Sequence, residues 1–163
     1  MSRWRSPSPR SSPYITASGY RRLEQELKGL WERRAEVTRA LSAAAAEGDR
    51  SENAEYIYRK KELRGIDARI RYLQKRLPAL KVVDRVSDTT RVYFGACVTL
   101  EDENGRELTY RIVGADELDS DTDHISVDSP LARALLGKGV DEEITLETAQ
   151  GRRQYVIVAV DYD

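Results

Sequence analysis

The sequence predicts an α+β protein: an N-terminal antiparallel α-helical coiled-coil hairpin followed by a small, mostly antiparallel β-rich domain. Three observations predict it. Apolar residues recur in steps of three and four over two stretches of similar length, a tight turn separates the stretches, and after Pro78 short β-branched and aromatic runs take over.

Residues 1–13 precede both patterns. They hold Arg3, Arg5 and Arg10 and three prolines but no hydrophobic segment that could serve as a signal peptide, so a disordered basic tail is expected. The first helical arm follows, with Thr16 as a plausible N-cap. Its stripe runs Tyr20, Leu23, Leu27, Leu30, Val37, Leu41, Ala44, and Arg34 interrupts it. Gly48-Asp49-Arg50-Ser51 has room only for a reversal. The second arm carries Tyr56, Leu63, Ile66, Ile70, Leu73, Leu77 and Leu80, interrupted by Arg59. Both stripes are narrow seams rather than broad faces. Arms of about 28 residues, at roughly 1.5 Å per residue, make a rod about 40 Å long. The finger is placed at 14–84.

The second domain is placed at 85–163. Val92 to Leu100 reads as a strand, Glu103-Asn104-Gly105 as a turn, and Leu108 to Val113 as the returning strand. Ile125 to Val127, Ile144 to Leu146 and Tyr155 to Val160 are further short strands. Ser129 is positioned to cap a short helix from Leu131 to Leu136, with Pro130 at its first position and Gly137 ending it.

Composition narrows the function. The net charge of −1 hides a division: residues 1–96 hold 21 Lys+Arg and 12 Asp+Glu (+9), and residues 97–163 hold 6 and 16 (−10). Two halves of opposite charge suit two different electrostatic partners. One cysteine, Cys97, excludes an internal disulfide framework and a cysteine-cluster metal site, and suits a reducing cytoplasm. No apolar run reaches the roughly 18 residues of a membrane span. Cys97 falls in a strand, and His124, the only histidine, sits beside Asp123 in a turn. Neither is assigned chemistry. With no Ser/His/Asp set and no glycine-rich phosphate loop, a self-contained active site is not expected.

The tip is the most informative segment. Asp49 and Glu52 stand three apart at the turn. One reading is a capping box, with Asp49 as N-cap and Glu52 returning to its amide. The other is chemical: carboxylates near a helix N-terminus are kept ionised by the macrodipole, and two on a thin tip could share a Mg²⁺ that keeps most of its waters. Two acids are too few to hold Mg²⁺ tightly alone, so a partner must complete the site. The two readings are compatible.

The segment Gly48-Asp49-Arg50-Ser51-Glu52-Asn53-Ala54-Glu55-Tyr56, the run Leu23-Glu24-Gln25-Glu26-Leu27, and the run from Ile125 through Asp128-Ser129-Pro130 to Leu135 resemble the Gre family of bacterial transcript cleavage and elongation factors. The likeness covers roughly residues 14–162, and the residues before Tyr14 are an extension on the family pattern. It implies a coiled-coil finger that enters the secondary channel of RNA polymerase, and an FKBP-like C-terminal domain that grips the channel rim. It implies that Asp49 and Glu52 act catalytically, as ligands of a Mg²⁺ shared with the polymerase active site, in hydrolysis of backtracked RNA. It further implies that Asp128, Ser129 and Pro130 bind the polymerase. The expected partners are bacterial RNA polymerase and the 3′ end of the nascent RNA; no membrane partner is expected, and the protein is expected to be a monomer in the cytoplasm. It would be no enzyme itself, but a stimulator of the polymerase.

Residues 59–76 hold eight bases (Arg59, Lys60, Lys61, Arg64, Arg69, Arg71, Lys75, Arg76) and two acids (Glu62, Asp67). Arg59, Lys60, Lys61 and Arg64, nearest the tip, are the candidate RNA contacts. Tyr56 and Tyr58 are lesser candidates for base stacking. Two other functions remain open: a channel-binding regulator that does not promote cleavage, and a coiled-coil scaffold for another protein.

Overall fold

The computed structural model describes residues 11–47, 53–84, 87–119 and 122–162. The chain divides into two compact units, one of Ser18–Leu80 and the other of the remainder. Each has its own logic.

The first unit is the hairpin. Helix α1 spans Ala17–Ala46 and helix α2 spans Ala54–Arg76. Val37, Ile66 and Ile70 are buried together, with Leu27, Leu30 and Leu63 packed around them. The pairing is antiparallel, since Arg33 reaches Glu62 whereas Glu26, earlier on α1, reaches Arg69, later on α2. The two interruptions in the apolar stripes are filled by charge pairs. Arg34 Nε lies 2.7 Å from Asp67 Oδ1, and Arg59 bonds Glu55 at 2.8 Å and Glu62 at 3.1 Å. A long arginine buries its stem along the seam and leaves its guanidinium at the edge for a carboxylate. Helix α2 stops at Arg76, and a 3-10 turn, Leu77–Ala79, carries Pro78 and the buried Leu77.

The second unit holds strands β3 (Cys97–Glu101), β4 (Glu107–Val113), β5 (His124–Ser126), β6 (Glu143–Thr148) and β7 (Gly151–Asp161). Their spatial order is β5-β4-β3-β7-β6, antiparallel except for β4 with β5. Helix α3 (Pro130–Leu135) joins the core through Ala132 and Leu135, packed with Val92, Ala96, Val98, Leu100, Ile112, Ile144 and Ile157. The α+β class and the β-rich second domain therefore hold.

The expected strand from Val92 begins only at Cys97. Val92 and Ala96 are fully buried, but the chain turns between them at Gly95, whose φ of 87° suits glycine. Apolar content there serves the core without a strand's alternation. Tyr162 closes this turn: its hydroxyl accepts from Tyr93 N at 2.7 Å and donates to Arg91 O at 2.5 Å.

Two short strands escaped the sequence reading. Strand β1 (Tyr14–Ile15) pairs in parallel with β2 (Lys81–Val82), and both belong to the second unit rather than to the finger expected at 14–84. Ile15 is fully buried, Tyr14 meets Phe94 with ring centroids 6.3 Å apart, and Gly114 passes so close that a Cβ there would overlap the Tyr14 carbonyl oxygen. Thr16 donates from both N–H and hydroxyl to Glu117, whose carboxylate also accepts from Gly114 N at 2.7 Å. Glu117 is the one buried charged side chain among the described residues, and these three bonds offset its desolvation.

Candidate functional site: the hairpin end and the Asp128 edge

At the end of the hairpin, the described residues meet through Asn53. Its Oδ1 accepts from Tyr56 N at 3.1 Å, capping α2, while its Nδ2 donates to Ala44 O at 2.7 Å, taking an end carbonyl of α1. One amide therefore caps α2 through its oxygen and gives the Ala44 carbonyl, which also accepts from Glu47 N at 3.2 Å, a second donor; only a side chain carrying donor and acceptor can do both. This corrects the capping-box reading. The N-cap is Asn53 and α2 begins at Ala54, so Asp49 does not cap it and Glu52 is not in its first turn. Asp49 and Glu52 fall between Ala44 and Asn53 in the sequence. Both acids lie outside the described residues.

Along α2 the four candidate RNA contacts separate. At about 100° per residue, Lys60, Arg64 and Arg71 fall within about 40° of arc, with Lys75 some 20° beyond and Lys61 on the border. Lys60, Lys61, Arg64, Arg71 and Lys75 are exposed and form no ion pair among the described residues. Arg59 points elsewhere. Its side chain is 24% exposed and shared between Glu55 and Glu62. Hydrogen bonding to Glu55 raises its already high pKa, while Arg33, followed by Arg59, holds the Glu62 carboxyl below the usual range. Arg69 is likewise taken, with Nε 2.7 Å from Glu26 Oε1. Counting only Glu62 and Asp67 against eight bases missed the acids of α1 and Glu55; Arg71 and Lys75 extend the unpaired face. Tyr58 is 59% exposed, with the Arg59 guanidinium 5.5 Å from its ring centre; Tyr56 is half-buried, with the Lys60 ammonium 5.8 Å away.

In the second unit, Asp128, Ser129 and Pro130 are contiguous at the start of α3. Ser129 is the N-cap, its hydroxyl accepting from Ala132 N at 3.2 Å, and Pro130 is exposed at the first helical position. Asp128 is half-buried, and Ser12 engages its carboxylate. Ser129 therefore has a structural duty, while Asp128 and Pro130 present the edge. Cys97 opens β3, half-buried. His124 lies in β5 rather than in a turn, and its buried Nδ1 has no hydrogen-bond partner among the described residues. No helix among the described residues is long and apolar enough to cross a membrane.

Two family models match. Residues 13–82 fit the description "Transcription elongation factor, N-terminal", and residues 87–162 fit "Transcription elongation factor, GreA/GreB, C-term". A transcription elongation factor GreB of Pseudomonas aeruginosa is 57% identical over 99% of this chain and 98% of its own. The chain belongs to the GreA/GreB family. A GreB of Xanthomonas axonopodis pv. citri is 58% identical, again over 99% of this chain and 98% of its own. Within the family the resemblance is thus to GreB, and the protein is a transcription elongation factor. Because these alignments run nearly end to end, the segment before Tyr14 has counterparts in both. The crystal structure of GreA factor homolog 1 of Thermus thermophilus is 32% identical, covers 91% of this chain and 97% of its own, and superposes with a TM-score of 0.42.

Proposed function

We propose that this elongation factor binds bacterial RNA polymerase, enters its secondary channel hairpin-first, and stimulates the polymerase's own hydrolysis of backtracked RNA. The unpaired cationic face of α2 carries this reading. Lys60, Arg64 and Arg71 start within two turns of the Asn53 clasp and run away from it on one side. An RNA 3′ end extruded toward such a face is drawn by its charge, and the attraction weakens steeply with salt.

Asp49 and Glu52 are the proposed ligands for a Mg²⁺ completed by the polymerase; that ion supplies activation of water and stabilisation of charge on the scissile phosphate. The chain's own contribution is to supply these two carboxylates from between α1 and α2 and to steer RNA beside them. Asp128 and Pro130 are proposed to hold the polymerase. The chemistry stays in the polymerase, and the factor is no enzyme.

The test is a backtracked elongation complex with end-labelled RNA. The unmodified protein with Mg²⁺ should shorten the RNA, and Asp49→Asn with Glu52→Gln should slow shortening at least 100-fold while polymerase affinity is kept. Shortening at the parental rate would overturn the metal role. Binding without any shortening by the unmodified protein would favour a regulator that only occupies the channel.

A further inference from the structure

Asp128 is occupied from within the chain. The Ser12 N–H donates to Asp128 Oδ2 at 2.9 Å, and the Ser12 hydroxyl donates to Oδ1 of the same carboxylate. One residue therefore spans both oxygens from 116 positions away. The chain that follows is firmly held: Pro13 O accepts from Lys81 N at 2.7 Å, Ile15 O accepts from Val83 N at 2.9 Å, and Thr16 is bonded to Glu117. Ser11 and Ser12 are thus the end of a leading segment anchored from Pro13 onward. Charge favours their placement. Residues 1–13 hold three arginines and no acid, against 6 bases and 16 acids in residues 97–163.

We propose that Ser11 and Ser12 form an intramolecular strap that covers the Asp128 carboxylate in the free protein and peels back at Pro13 when a partner takes its place. The proposal rests on the reading of Asp128 as a polymerase contact. A carboxylate binds a guanidinium best through both oxygens together, and those are the atoms Ser12 spans. The strapped form binds only after opening, so the observed affinity equals the intrinsic affinity scaled by the open fraction. Removing the strap therefore tightens binding without adding a contact.

Ser12→Pro deletes both donors and adds no charge. The position already precedes a proline, so its backbone is confined to the extended region that proline accepts. In the full-length chain, Ser12→Pro should tighten polymerase binding about three- to tenfold, whereas Asp128→Ala should weaken it. Hydrogen exchange at the Ser12 amide of the unmodified chain should be slow when free and faster once polymerase is bound. If Asp128→Ala weakens binding but Ser12→Pro weakens it too or leaves it unchanged, the strap is overturned and the polymerase contact stands. A Ser12 amide as protected in the complex as in the free chain also overturns it. If Asp128→Ala leaves affinity unchanged, the polymerase contact fails and the strap falls with it.

Discussion

The two units are held by different means. In the second, a closed set of fully buried side chains (Val92, Ala96, Val98, Leu100, Ile112, Ala132, Leu135, Ile157) fills the space between sheet and helix. In the hairpin, Val37 and Leu73 are fully buried, Ile66 and Ile70 nearly so, and charge pairs occupy the places where apolar residues are missing. A pair of helices has almost no interior, and its solvent-screened ion pairs add little to its stability. The hairpin trades stability for surface, and that surface carries the free cations. The β unit keeps its residues inside and offers one edge.

Truncation separates the units most clearly. Ile112→Ala should cost about 3–5 kcal/mol, because a core closed on all sides cannot collapse around the loss, while Ile70→Ala should fall near 2 kcal/mol, because two helices can close up. Chemical denaturation with hydrogen exchange resolved by segment reads both, and equal costs would erase the contrast. A smaller effect is expected at the clasp. Asn53→Ala should cost about 1 kcal/mol, with faster exchange confined to the last turn of α1 and the first of α2. Loss spread along the whole hairpin would mean that the clasp supports more than the end. The smallest effect concerns acid. The pKa of Glu62 is lowered from 4.5, so its stabilising contribution is present above that value and fades as pH falls through the lowered one. Glu62→Gln should therefore flatten part of the hairpin's loss of stability as pH falls below 4.5. An unaltered acid profile would remove Glu62 from the cause.

Much of this was legible beforehand. Helical periodicity located both arms because each needs a one-sided apolar stripe, and Ser129-Pro130 with Gly137 marked α3 because capping uses few residue types. Hidden features depend on contacts remote in sequence. Two-residue strands such as β1 carry no periodicity. Arg59 reads as a free cation until Glu55 and Glu62 are seen around it. The Asn53 clasp was readable in principle, since asparagine is a favoured N-cap, but Asp49 and Glu52 offered a more familiar pattern. Ser12 on Asp128 left no sequence signal.

Strands β1 and β2 run side by side in parallel, and the hairpin is the connection between them. Parallel neighbours require a long connection and are indifferent to how long it is. Adding or removing one heptad in both arms would change the hairpin's length by about 10.5 Å and leave the pairing of β1 with β2 intact. Reach in this architecture is an adjustable dimension, open to evolution or to a designer as a ruler with interchangeable segments.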